Sequence, residues 1–173
     1  MPVPKDHAQY LGETIAEIAA EKAGILKRGV HCVVGPQCDE AMDVIEQVAA
    51  RVGAPLIAYG QHWHVYEERG RLVFQDERGL LDLPLPALAG DHQIQNAGAA
   101  LAALRHLGAD EAACEAAVRN VSWPARMQRL KEGPLVEAAA GAELWLDGGH
   151  NAAAGKALAD VISKLPKRPT HLV

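Results

Sequence analysis

Leu144-Trp145-Leu146-Asp147-Gly148-Gly149-His150-Asn151 carries three apolar residues, an acid, two glycines and two polar side chains in that order. The apolar triplet reads as a buried strand and residues 152–165 read as a helix, so the stretch is a strand-to-helix turn. Its two glycines let the backbone come close to a ligand. In open α/β sheets ligands sit at that edge, beside helix amides that attract anions. The pattern predicts an α/β fold, with Asp147 placed to bind ribose hydroxyls and His150 to contact a nucleotide. A merely structural turn accounts for the same residues equally well when they are read alone.

Upstream, Trp123-Pro124-Ala125-Arg126 breaks a helix over residues 110–120. An arginine just after a Pro-fixed turn suits a phosphate, because its planar fork matches the oxygens. The bland alternative is a surface arginine beside a core tryptophan. Residues 126–130, 135–139 and 143–146 read as strands. Gly90-Asp91-His92 opens a helical stretch over residues 96–106, and the amide of Asn96 there offers donors and acceptors to a heterocycle. Its alternative is a polar loop with a helix cap.

Nearer the N-terminus, Thr14-Ile15-Ala16-Glu17 has the form of a capping box, with Ile15, Ile18, Ala19 and Ala23 at helical spacing and Gly24 placed to stop the helix. Residues 30–34 and 55–59 read as strands on either side of an amphipathic helix over 38–52. That alternation predicts parallel layering. Residues 62–66 and 71–75 alternate across residues 67–70 as a hairpin, and 81–85 add a strand whose prolines suggest an edge. At the other end, residues 170–173 read as the start of a buried strand. A domain boundary falls near Trp123-Pro124, giving units 1–122 and 123–173.

Composition narrows the classes. With 17 Lys+Arg against 22 Asp+Glu the chain carries a net charge of −5, which argues against a nucleic-acid binder. It has no apolar run of about 18 residues to span a membrane. Three cysteines without CxxC spacing suggest reduced thiols in a cytoplasmic protein. Aromatics make up only 4% of a chain that is 49% hydrophobic, so the core must come from Ala, Leu, Val and Ile.

Read in order, four segments resemble the folylpolyglutamate synthase/dihydrofolate synthase family of Mur-type ligases. Residues 6–25 match D-H-x-x-x-L-G-x-T-x-x-x-I-A-x-E-K-A-G-I, and residues 92–97 match H-Q-x-x-N-A. Trp123-Pro124-Ala125-Arg126 resembles W-P-G-R, and Asp147-Gly148-Gly149-His150-Asn151 resembles D-x-A-H-N. The resemblance implies part of a Mur-ligase central ATPase domain with an antiparallel flap, followed by the start of a Rossmann-like C-terminal domain. It implies ATP-dependent addition of L-glutamate to dihydropteroate or a reduced folate through an acyl phosphate. By the same resemblance Asn96 and His150 contact the adenine end of ATP, Asp147 the ribose and Arg126 the phosphates. His7 would be a ligand of Mg²⁺, an unusual choice because this ion prefers oxygen. Lys22, fifteen residues further on, would be carbamylated, which turns a cation into a carboxylate-like anion near the metal.

Departures shape the expectation. No G-x-x-G-K-[ST] occurs anywhere, Lys5 stands where the family has an apolar residue, Ala125 replaces Gly, and Gly149 replaces Ala. The chain is therefore expected to be an internal fragment of such an enzyme, inactive alone, with an exposed sheet edge that favours self-association of an otherwise monomeric parent. The alternatives are a non-catalytic nucleotide-binding or scaffold remnant, and a fragment of a cell-wall Mur ligase. The E-K-A-G-I and H-Q-x-x-N forms favour the folate branch.

Overall fold

The first helix of the described residues, α1 (Ile15–Ala23), is closed at its N-terminus by a reciprocal cap. The Thr14 hydroxyl accepts the Glu17 N–H at 3.2 Å, and the Glu17 carboxylate accepts the Thr14 N–H at 3.0 Å. Two amides that the helix cannot satisfy internally are thereby paired. A computed structural model describes residues 14–173 of the chain. Ile18 and Ala19, four and five residues into the turn pattern, are fully buried, and α1 packs on α2 (Asp39–Val52).

Strands β1 (Cys32–Val34) and β2 (Leu56–Ala58) flank α2 and pair in parallel, Val33 opposite Ile57. Both are shorter than their apolar runs. The Val30 N–H is used in a turn onto the Lys27 carbonyl, and Pro55 has no N–H to give.

Three antiparallel strands follow, β3 (Trp63–Glu68), β4 (Arg71–Asp76) and β5 (Gly79–Pro84), in the order β3-β4-β5. The expected four-residue turn contracts to two, because Glu67 and Glu68 pair with Leu72 and Arg71. Arg69 and Gly70 then carry φ of +51° and +75°, the left-handed pair that matches strand twist. The proline-bearing β5 is at the edge, as expected. Alternation puts Trp63, Val65, Leu72, Phe74, Leu81 and Leu83 on one face. That face packs on α3 (Asp91–His106) and α4 (Glu111–Asn120), through Leu101, Ala102, Cys114 and Val118.

Residues beyond Trp123 form a smaller layer: β6 (Gln128–Leu130) antiparallel to β7 (Leu144–Leu146), with α5 (Pro134–Ala138) between them and α6 (Ala152–Lys164) after them. Several expectations are corrected here. Residues 135–139 are not a strand: Gly133 at φ +104° and Pro134 at the first helical position start a short helix, where proline's fixed φ is favourable. β7 is not buried, Trp145 being 39% and Leu146 47% exposed, because its one strand partner among the described residues is β6. Trp123 is 64% exposed, not a core residue. Residues 170–173 carry no secondary structure and are exposed, and no described strand pairs with them. Among the described residues no helix is long and apolar enough to cross a membrane.

The two layers meet where α6 lies along the start of α3. Lys164 Nζ is 2.6 Å from Asp91 Oδ1, and a Cβ on Gly90 would stand 3.1 Å from Val161 Cγ2.

Candidate functional site

β7 ends at Leu146 and passes Asp147 into the turn that the sequence singled out. One carboxylate oxygen, Oδ2, accepts the Met127 N–H at 2.8 Å, and the other, Oδ1, accepts the Gly149 N–H at 2.7 Å. The Gly148 N–H donates to the Ala125 carbonyl at 2.9 Å. Residues 123–127 and 147–151 are thus stitched together by one carboxylate and one backbone bond. Arg126 lies between the two bonded residues of its loop, its Nη1 donating to the Ala125 carbonyl at 3.2 Å. A Cβ on Gly148 would stand only 3.2 Å from that nitrogen, so the glycine allows the close approach. His150 Nδ1 is 3.1 Å from the Gly148 carbonyl oxygen. Asn151 ends the turn by capping α6, its Oδ1 accepting the Ala154 N–H at 2.7 Å.

Ala125 and Met127 have φ of +53° and +44°, the region in which an L side chain crowds the backbone. Ala125 therefore occupies a position where glycine is favoured. Ala125→Gly is expected to stabilise the chain by about 0.5–1 kcal/mol, the relieved strain exceeding the entropy that glycine adds to the unfolded chain. Urea denaturation checks this, and a loss of stability would contradict it.

Asn96 stands one turn into α3, exposed, with its Nδ2 donating to Gln93 Oε1 at 3.0 Å. Gln93 is 6% exposed, and its Nε2 lies 3.0 Å from His92 Nε2. Beside them a slot of about 130 Å³ opens between α3, α4 and residues 86–88, walled by Ala97, Ala100, Leu101, Ala117 and Val121. Gln93 also lines it and was not singled out as a site residue. The signal was its spacing, since residues three apart on a helix share a face. A second cleft, of about 220 Å³, separates the first turn of α3 from α6 and is lined by His92, Ala153, Lys156 and Asp160 among others. It places the helix of Asn96 against the helix that His150 precedes.

Lys22 is not part of this assembly: it is exposed on the last turn of α1, which packs on α2. His7 lies outside the described residues. Among the described residues no three of His, Cys, Asp or Glu gather as a metal site. The three cysteines are free, Cys114 fully buried and Cys38 exposed. Burial pushes the Cys114 thiol above its ordinary range, with the Arg105 and Arg78 charges acting against it.

No protein-family model matches the chain. Dihydrofolate synthase/folylpolyglutamate synthase of Bacillus subtilis is 32% identical over 170 residues, which cover 92% of this chain and 38% of that protein. The Mycobacterium tuberculosis protein of the same name is 32% identical over 184 residues, 94% of this chain and 35% of that protein. Among solved structures, E. coli FolC in complex with DHPP and ADP superposes with a TM-score of 0.79 at 30% identity, over 97% of this chain and 38% of that one. The fold is that of a Mur-ligase-type α/β protein. Over this segment the chain is similar in sequence and fold to folylpolyglutamate synthase/dihydrofolate synthase proteins. It spans well under half the length of these relatives.

Proposed function

We propose that this segment forms the nucleotide-holding part of an ATP-dependent ligase that joins L-glutamate to dihydropteroate or a reduced folate. The observation that carries this reading is the pair of loops tied by Asp147, which holds the loop of Arg126 against the turn that carries His150. Asn96 at the mouth of a narrow, small-residue slot adds to it. That E. coli FolC was solved with DHPP and ADP supports the same reading.

The roles follow from the chemistry of each group. The Asn96 amide offers one donor face and one acceptor face to the edge of a heterocycle, and the alanine walls fit a flat ring. Each Asp147 oxygen spends a lone pair on a backbone amide, so the carboxylate ties together the two loops that face the nucleotide. Arg126 meets phosphate charge, and a water-poor site makes that contact stronger. In the overall reaction the γ-phosphoryl passes to the acceptor carboxylate, and the glutamate amine displaces phosphate to form the amide. Lys22 and His7 are assigned to the metal side of such an enzyme. Among the described residues no group of three His, Cys, Asp or Glu assembles a magnesium site. We place residues 1–122 in the central domain and 123–173 in the C-terminal one, and the protein in the cytoplasm.

Titration of the chain with ADP tests the reading. Arg126→Ala and Asn96→Ala are each expected to weaken ADP about tenfold, equal to about 1.4 kcal/mol. Unchanged affinity in both would refute the assignment. The 173-residue chain contains no G-x-x-G-K-[ST], so alone it is expected to release no ADP from ATP on adding acceptor and glutamate.

A further inference from the structure

We infer that Asp147 is a positioning residue, whose carboxylate fixes the Arg126 loop against the Gly148–His150 turn and so sets where the guanidinium stands. Its effect on nucleotide rests on the reading above, whereas the clamp itself does not. The argument begins with backbone cost. Both neighbours of Arg126 are non-glycine residues at positive φ, Ala125 at +53° and Met127 at +44°. Each such residue strains the backbone and persists only where its surroundings hold it.

Three contacts hold this one. The Ala125 N–H donates to Gln128 Oε1 at 3.0 Å, which is local to the loop. The Ala125 carbonyl accepts the Gly148 N–H at 2.9 Å. Asp147 supplies the third, reaching twenty residues back to the Met127 N–H while its other oxygen holds Gly149. Bonds from a carboxylate to backbone amides are charge-assisted and roughly twice as strong as neutral ones. Without the carboxylate, the Met127 amide loses its acceptor and the left-handed pair relaxes. Arg126 then swings with it, because the guanidinium sits against Gly148.

The test compares Asp147→Asn with the unmodified chain, using amide hydrogen exchange and titration with ADP and with 2′,3′-dideoxy-ADP. Asparagine has one acceptor oxygen instead of two. One of the Met127 and Gly149 amides is therefore expected to exchange at least tenfold faster. Both nucleotides are expected to weaken by the same factor, about tenfold, because the loss comes through Arg126 and not through the ribose. In an Arg126→Ala background the same substitution is expected to weaken ADP less than twofold further. Weakening confined to ADP, with exchange unchanged, would overturn the proposal. So would full additivity with Arg126→Ala. If the unmodified chain binds neither nucleotide, the nucleotide reading fails and exchange alone decides the clamp. Should the variant not fold, the unmodified chain decides it too: a Met127 amide protected at least tenfold supports the clamp, and an unprotected one overturns it.

Discussion

Gly98→Ala is expected to destabilise the chain by about 2 kcal/mol and to lower the urea midpoint clearly. Gly98 lies on α3 where the helix crosses β3. A Cβ built there would run into Val65 Cγ1 and stand 2.6 Å from Trp63 Cζ3. Neither neighbour has room to retreat. Trp63 is fully buried and Val65 is 1% exposed. The indole is also tethered, its Nε1–H donating to the Ile57 carbonyl at 3.0 Å, and it stacks on Phe74 with ring centroids 6.1 Å apart. Two effects oppose each other. Alanine improves helix propensity by about 1 kcal/mol, whereas overpacking a filled core costs up to about 3 kcal/mol. The overlap is with two immobile side chains, so overpacking wins. Gly155 on α6 supplies the control, since a Cβ there meets nothing within 4 Å. There the same change is expected to stabilise by about 0.5–1 kcal/mol. Gain at both positions would mean that α3 and β3 do not lie this close.

That contact explains which features the sequence revealed and which it did not. Elements that rest on local chemistry came through: the Thr14 capping box, the α2 amphipathic period, the β3–β4 alternation, and the acid-Gly-Gly-His-Asn turn. Gly98 gave no signal, because a glycine inside an apolar helical period reads as a weak position and not as a close approach. The α5 segment misled because a short apolar pair such as Leu135-Val136 fits a strand as readily as a helix, while Gly133 and Pro134 just before it set the backbone for a helix. Residues 170–173 misled in another way, being β-prone with no partner strand among the described residues. At the site, the residue types were readable from spacing, but the use of Asp147 was not. A carboxylate at a strand end suggests a ligand, whereas its bond to Met127 links residues twenty positions apart.

Asp76→Ala is expected to cost more, about 3–5 kcal/mol, because it leaves a guanidinium buried without its counter-charge. Arg105 near the end of α3 is 7% exposed, and its Nη2 and Nε lie 2.6 and 2.9 Å from the two oxygens of Asp76. Arg78 completes the set, with its backbone N–H on Asp76 and its Nη1 on the Arg105 carbonyl at 2.6 Å. The flap is thus fastened to α3 by ions drawn from positions 29 residues apart. Burial pushes the Asp76 carboxyl up, but the Arg105 hydrogen bonds and charge, with Arg78, outweigh it and hold the group below the usual carboxylate range. A folded-state value below the unfolded one, about 3.9, stabilises the fold at pH above that value. The contribution disappears as pH falls through the folded value. Acid unfolding of the parent chain is therefore expected to steepen below about pH 4, and Asp76→Ala is expected to remove that component while lowering stability at pH 7. Urea midpoints at pH 7 and pH 3 measure both effects. An equal pH response in variant and parent would show that Asp76 does not carry it. Asp76→Leu with Arg105→Met separates charge from packing: it removes both ions and fills their volume, so it is expected to recover most of what Asp76→Ala loses. Recovery would mean that the pair sets where the flap docks while adding little net stability. No recovery would mean that its hydrogen bonds hold the flap in place.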